Sequence, residues 1–147
     1  MAKATTQSFE QLILDVEFVA SSGTYTAICG LIDVTVTRTA NVDTAEVPDC
    51  ADESLPLSLE KQVRSIEVSV SGTGVWAQES HGNLMDWFYS SATKNVRIRN
   101  TNASTGDTEI ESGAALLTSL TNTRTKGIKV SAEIEIQFDG TPARTDA

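Results

Sequence analysis

The sequence predicts a mainly β protein, with an antiparallel β-sandwich or barrel-like core, one flanking α-helix and one long loop. Most segments long enough to form an element alternate apolar and polar residues, as half-buried strands do. One stretch, beginning near Ser80, changes to the apolar period of a helix. Another, residues 39–59, contains two of the three prolines and many carboxylates, so it cannot lie in a core. A chain of 147 residues is expected to form one domain, here spanning residues 1–147.

The first part of the chain predicts an arm followed by strands. Residues 1–10 are polar and predict an N-terminal arm. Alternation from Leu12 to Phe18 predicts the first strand, and a turn at residues 21–23 leads back through residues 25–30 as a hairpin. Residues 32–37 are rich in Thr and Val and predict the next strand.

Residues 39–59 predict a long acidic loop without a basic residue. Structureless segments of this length are uncommon inside compact domains, and they are usually either functional or disordered until a partner binds. We therefore expect this loop to have a function in binding a partner, while a disordered acidic surface loop remains the alternative. Its carboxylates are Asp43, Glu46, Asp49, Asp52 and Glu53.

Residues 63–89 predict a strand, a tight turn and the helix. Ile66, Val68 and Val70 alternate with polar residues, and the glycines of residues 72–74 indicate a turn. Ser80 is the expected N-cap, and the serines at 90 and 91 indicate where the helix ends. Trp87 falls at the margin of the apolar helical face. The side chains expected to pack the helix onto the core are Trp76, Leu84, Met85 and Phe88.

The last third predicts further strands. Residues 95–100 form a short strand with arginines on its outer face, whereas residues 114–120 fit either a strand or a helical turn. The clearest alternation in the chain runs from Ile128 to Phe138, with Glu133 and Glu135 on its polar face. Residues 140–147 predict a loose C-terminal tail.

Composition excludes several classes of function. The formal charge of −9 opposes binding to nucleic acid or anionic membranes. The sequence shows no apolar run that could span a membrane and no signal peptide, so we expect folding in the cytoplasm. A single histidine, His81, and two cysteines, Cys29 and Cys50, match no catalytic or metal motif. We expect no enzymatic activity, cofactor or metal.

This order of elements resembles that of phage tail tube proteins, the major tail proteins of long-tailed phages and of gene transfer agent-like tails. Residues 33–37 run into the acidic loop, and residues 62–76 then form the strand that ends in a Gly-Thr-Gly-Val-Trp sequence. The aromatic pair at 87 and 88, the small-residue piece at 113–117 and the final alternating strand complete the likeness. It covers about residues 10–140.

The resemblance implies a structural virion protein that forms hexameric rings, stacked into a hollow tube through which the genome passes. It implies that the chain's main partner is itself, together with tape-measure, tail-terminator and distal tail proteins, in a virion tail assembled in the host cytoplasm. DNA would pass without specific binding, because its adhesion requires cationic contacts. Under this interpretation Glu67, Glu133 and Glu135 line the channel, since they lie on the polar faces of the two clearest strands; the alternative is that those faces point outward. The loop at residues 39–59 would make the inter-ring or inter-subunit contact and become ordered on assembly.

Two alternatives remain open at the level of sequence. The inner tube of a contractile tail or secretion device shares the same fold. A monomeric β-sandwich binding or adhesion module belongs to a different class, but its carbohydrate sites would need exposed aromatic residues, which are scarce here.

Overall fold

The computed structural model describes residues 2–147. These residues form a short 3-10 helix, one α-helix and eight strands. The 3-10 helix is Phe9–Gln11, and the helix α1 is Gln78–Ser90. The strands are β1 Leu12–Val16, β2 Thr26–Ala27, β3 Leu31–Val47, β4 Ser58–Val75, β5 Lys94–Asn100, β6 Thr108–Thr123, β7 Ser131–Phe138 and β8 Ala143–Asp146.

All strands belong to one antiparallel sheet with the order β2-β1-β5-β6-β7-β4-β3, and β8 pairs with β6 beside it. The sheet is open rather than closed into a barrel. A single apolar cluster joins side chains from both halves of the sheet to α1. Its fully buried members include Val16, Val70, Trp87, Val96 and Ile136. This architecture confirms the predicted mainly β fold with one flanking helix.

The predicted loop at residues 39–59 is mostly a β-hairpin, which corrects the expectation of an irregular segment. β3 and β4 pair continuously from Leu31 and Gly74 to Val47 and Ser58, with two register shifts, and only residues 48–57 connect them. The polar residues there reflect strands whose two faces are both exposed, because the rest of the sheet does not extend this far. Polar composition therefore indicated exposure and not irregular backbone.

The glycines predicted to form a turn at residues 72–74 lie inside β4, which continues to Val75. Their role is to allow close approach of the neighbouring strand. A Cβ atom at Gly74 would lie 2.1 Å from the carbonyl oxygen of Gly30, and one at Gly72 would lie 3.0 Å from Leu31 Cδ1. Gly74 thus accommodates a contact between backbones, and Gly72 makes room for the Leu31 side chain.

The helix begins at Gln78, earlier than expected, with Ala77 and not Ser80 at the N-cap. Ser80 is buried, and its hydroxyl accepts a hydrogen bond from the Cys29 backbone N–H at 2.9 Å. Leu84 is buried as predicted, but Trp87 is the main core residue at 1% exposure.

The predicted helix contacts are thus only partly correct. Phe88 is 37% exposed and lies against Tyr89, and its expected place in the core belongs to Trp87. Met85 and Trp76 are half-buried. The buried face of α1 runs through Ser80, Leu84 and Trp87, which are spaced four and three residues apart. Met85 and Phe88 lie one residue further along the helix and fall beside that face.

The remaining strands largely match their patterns. Residues 114–120 are part of the continuous strand β6, which settles the choice between strand and helix. In β7 the predicted apolar face is buried, whereas Ile128 lies in the preceding turn and is 68% exposed. The predicted loose tail is instead β8, paired with β6. The N-terminal segment predicted at residues 1–10 has no regular element before the 3-10 helix, and Met1 lies outside the described residues.

Candidate assembly surfaces

The three glutamates predicted to line a channel lie on one face of the sheet. Glu135 pairs with Ser71 of β4, and Glu67 lies four residues before Ser71 on the same strand. Glu133 lies two residues before Glu135 on β7. Paired residues share a face, as do residues separated by an even number along a regular strand, so the three carboxylates project together.

These glutamates belong to a broader surface, here called the acidic face. Its members, identified from strand pairing, are Asp33, Thr35, Thr37, Thr39, Glu67, Ser69, Ser71, Thr73, Ser119, Thr121, Glu133, Glu135 and Gln137. All are exposed except the half-buried Ser69 and Ser119. The face thus has four carboxylates among neutral polar groups. It also includes two exposed apolar side chains, Leu116, which pairs with Gln137, and Val75, two residues beyond Thr73 on β4. Asp33 was missed as a site residue, although its alternation with Thr35 and Thr37 was a usable signal.

The β3–β4 hairpin extends beyond the rest of the sheet as an arm, defined as residues 40–66. β4 pairs with β7 only from Ser69 onwards, so the arm is a two-stranded ribbon within the described structure. Strand pairing places Val42 beside Val63, and these side chains are 49% and 53% exposed. Leu59 and Ile66 are also about half exposed or more. The arm therefore presents apolar side chains to solvent.

The tip of the arm, residues 48–57, is organised by its own carboxylates. Asp49 Oδ1 accepts hydrogen bonds from the backbone N–H groups of Ala51, at 2.8 Å, and of Asp52. Asp52 in turn accepts from the hydroxyl and the backbone N–H of Ser54, and these bonds lower the pKa of Asp52. Such local bonds from Asp side chains are typical of ordered turns.

The five predicted loop carboxylates fall into two groups. Asp49, Asp52 and Glu53 lie in the tip, whereas Asp43 and Glu46 lie on β3. Asp43 forms an exposed ion pair with Arg64 at 3.7 Å. Only the first group therefore forms a cluster at the end of the arm.

Sequence reasoning missed a buried ionic cluster between β1 and β5. Asp15 is 2% exposed, and its Oδ2 lies 3.1 Å from Arg97 Nε and 2.6 Å from Arg99 Nε. The arginines predicted to form an outer face of β5 therefore neutralise a buried carboxylate. Arg97 also lies 4.2 Å from the centre of the Tyr25 ring. The cluster fastens the edge hairpin to the sheet and holds no group poised for chemistry.

Other chemistry is not supported by the described residues. No group of three or more His, Cys, Asp or Glu residues within 2–147 is placed to hold a metal ion. The His81 ring lies against that of Trp76, tilted by 60° with ring centres 4.7 Å apart, and Cys29 and Cys50 are free and exposed. Within the same residues, no helix combines the length and apolar character needed to cross a membrane.

Comparison with known proteins identifies relatives of this fold. A family model described as phage tail tube protein matches residues 6–144. No curated protein matches the chain.

Several solved structures have the same fold at low identity. The tail of an empty gene transfer agent particle, refined with C6 symmetry, gives a TM-score of 0.75 at 18% identity, over 95% of this chain and 99% of that one. The SPP1 tail tube gives 0.69 at 11%, over 97% and 80% of the two chains. A sheath/tube terminator of an extracellular contractile injection system gives 0.64 at 17%, over 98% and 99%.

Proposed function

Because this chain belongs to the phage tail tube protein family, we propose that six copies close into a ring and that the rings stack into a hollow tube for genome passage. The protein is a structural, non-enzymatic component of a virion tail. The proposed hexamer is supported by the C6 symmetry of the gene transfer agent tail, whose subunit has a similar fold. The likeness to a sheath/tube terminator of a contractile injection system favours the inner tube of a contractile device as the second candidate.

We assign the acidic face to the lining of the bore, and its composition is the observation that supports the tube. Its four carboxylates would become 24 in a ring of six copies (6 × 4), among uncharged side chains, mostly Ser and Thr. Adhesion of proteins to DNA depends on Lys and Arg contacts that release counterions from phosphates. A bore with this composition would repel the duplex slightly and would let it slide.

We assign the arm to contacts between subunits. An isolated two-stranded hairpin is marginally stable in water, and this one exposes Val42, Leu59 and Val63. Burial of these side chains against a neighbouring copy would stabilise the arm and the assembly together. The contact would be heterologous, since the arm meets a different surface of the neighbour, and such contacts form rings or open stacks.

A tube of defined length needs further proteins that start its assembly, set its length and stop it. We propose that a tape-measure protein occupies the bore during assembly and that distal tail and tail-terminator proteins bind its two ends. The likeness to a sheath/tube terminator supports a terminator built on the same fold, which would meet the last ring through the surfaces used between rings. DNA would be a transient occupant without a specific binding site.

Negative-stain electron microscopy over a range of protein concentrations tests the tube. We expect rings or hollow filaments from the full chain. Replacement of residues 48–57 by a two-residue Asn-Gly turn keeps the β3–β4 pairing, since such turns close hairpins. This variant should stay folded and should lose filaments.

A matched control is Tyr89→Ser, which changes a side chain that is 75% exposed on the helix, away from the arm. We expect this variant to assemble as the full chain does. Monomers at every concentration, also in the presence of preformed tail initiation complexes, would contradict the proposed tube.

A further inference from the structure

The tip of the arm and the turn between β6 and β7 have opposite charge. The tip contains three carboxylates, Asp49, Asp52 and Glu53, and no basic residue. The turn between β6 and β7, residues 124–130, contains Arg124, Lys126 and Lys129 and no acidic residue. These are three of only eleven basic residues in the chain, so their concentration in one turn is a distinct feature.

Strand pairing places the tip and this turn at opposite ends of the molecule. β4 begins next to the tip at Ser58 and ends at Val75, which pairs with Ser131 at the start of β7. Thr123, the last residue of β6, pairs with the same Ser131. Eighteen residues of β4 therefore separate the two surfaces, about 55 Å at the usual rise of a strand.

Both surfaces combine exposed apolar side chains with their charges. In the tip, Leu55 and Leu57 are 49% and 51% exposed, and at the opposite end Ile128 is 68% exposed. Ile128 is held in an ordered turn by a hydrogen bond from its N–H to the Thr125 carbonyl at 3.3 Å. Apolar centres with complementary charges around them are typical of specific protein interfaces.

We propose that the tip of one copy binds the β6–β7 turn of a copy in the next ring. This inference rests on the proposed tube and names the surface that receives the arm. One molecule presents the tip at one end and the turn at the other, so each contact leaves a free tip and a free turn. Such a contact adds copies in one direction without closing, as stacking of rings requires.

Charge reversal tests the pairing of the two surfaces. The basic-turn variant combines Arg124→Glu, Lys126→Glu and Lys129→Glu, and the tip variant combines Asp49→Lys, Asp52→Lys and Glu53→Lys. Each places like charges together across the interface, so each alone should shorten tubes about tenfold or more. Combining all six changes should restore long tubes.

The matched control reverses three exposed carboxylates outside both surfaces, with Glu79→Lys, Asp86→Lys and Asp107→Lys. It changes the net charge by the same amount as the tip variant and should leave tube length unchanged. Circular dichroism of every variant checks that the subunit is folded.

A cross-linking experiment tests proximity directly, because the tip contains the free thiol of Cys50. In a Cys29→Ser background, Lys126→Cys adds a thiol to the turn. A short bifunctional maleimide applied to assembled tubes should then give a ladder of covalent multimers in denaturing gels. Asp86→Cys, on the exposed side of α1, is the control and should give no ladder.

The outcomes separate this inference from the proposed function. Tubes that form from the full chain, with no ladder from Lys126→Cys and no restoration by the combined charge reversal, would overturn the pairing of tip and turn while the tube stands. A full chain that never forms tubes would overturn the proposed function and this inference with it.

Discussion

Asp15 and Arg99 form an ion pair between β1 and β5, with Arg99 Nε 2.6 Å from Asp15 Oδ2. Arg97 shares the same oxygen, and the Asp15 side chain is only 3% exposed, whereas the two arginines remain 27% and 33% exposed. The carboxylate is therefore buried with two cations that still reach water. This arrangement links β5 to β1, the strand that leads into the loop at residues 17–25.

Asp15→Asn should destabilise the subunit by about 2 kcal/mol, less than the loss of a fully buried ion pair because the arginines can recover hydration. Urea unfolding of the monomer measures the free energy of unfolding. The matched control is Asp43→Asn, which breaks the exposed pair with Arg64 and should cost about 0.5 kcal/mol or less. Equal effects of the two variants would contradict the structural role of Asp15.

Gly74→Ala should be among the most damaging small substitutions in the sheet. The added Cβ would lie 2.1 Å from the Gly30 carbonyl oxygen and 2.8 Å from the Ile32 nitrogen, so β3 and β4 would have to separate. We expect a loss of about 3 kcal/mol, measured by urea unfolding. Gly82→Ala is the control, because no heavy atom lies near its added Cβ and alanine favours the helix by about 1 kcal/mol. A neutral Gly74→Ala would refute the close approach.

Trp87→Ala should cost about 4 kcal/mol, because a fully buried aromatic ring would leave a large cavity. Its Nε1 also donates to the Ala92 carbonyl at 3.0 Å, and this hydrogen bond would be lost. Phe88→Ala should cost only about 1 kcal/mol, since the ring is already 37% exposed. Thermal unfolding of both variants distinguishes this order from the reverse one, which the helical pattern of the sequence predicted.

The tip should show a pH dependence controlled by Asp52. Hydrogen bonds from the Ser54 hydroxyl and then from its N–H favour the ionised carboxylate and lower the pKa of Asp52. Their contribution is present above the pKa of a free aspartate and is lost as pH falls through the lowered value. An NMR titration of the Ser54 amide proton should therefore have its midpoint below that of a free aspartate.

Ser54→Ala removes the hydroxyl donor and should move the Asp52 midpoint upward, because the first of the two stabilising bonds is gone. Ser104→Ala, which removes a hydroxyl outside the tip, should leave it unchanged. A midpoint that does not move in Ser54→Ala would show that the hydroxyl does not hold the carboxylate.

The core strands were predictable because burial leaves a regular mark on the sequence. In β7 the buried residues Ala132, Ile134, Ile136 and Phe138 alternate with exposed ones, and the pattern depends on no other segment. The strands of the arm were not predictable in the same way. Both of their faces are exposed, so neither face needs to be apolar and the sequence does not alternate. Its polar composition fits a loop equally well.

Features that depend on pairing between distant segments also escaped prediction. The buried ionic cluster of Asp15 with Arg97 and Arg99 exists only in the register of β1 and β5. Gly74 resembled a turn residue because its requirement for space comes from Gly30, more than forty residues earlier. By contrast, the placement of Glu67, Glu133 and Glu135 on polar strand faces could be predicted. That all three lie on one face of the sheet depends on the β4–β7 pairing, which the sequence alone does not show.

In the proposed tube, the acidic face of each subunit lines the bore. Helical reconstruction of assembled tubes by cryo-electron microscopy tests it most directly. We expect rings of six subunits with Glu67, Glu133 and Glu135 facing the channel and α1 on the outside. A tube in which the acidic face points outward or is buried between subunits, with α1 towards the channel, would contradict the account.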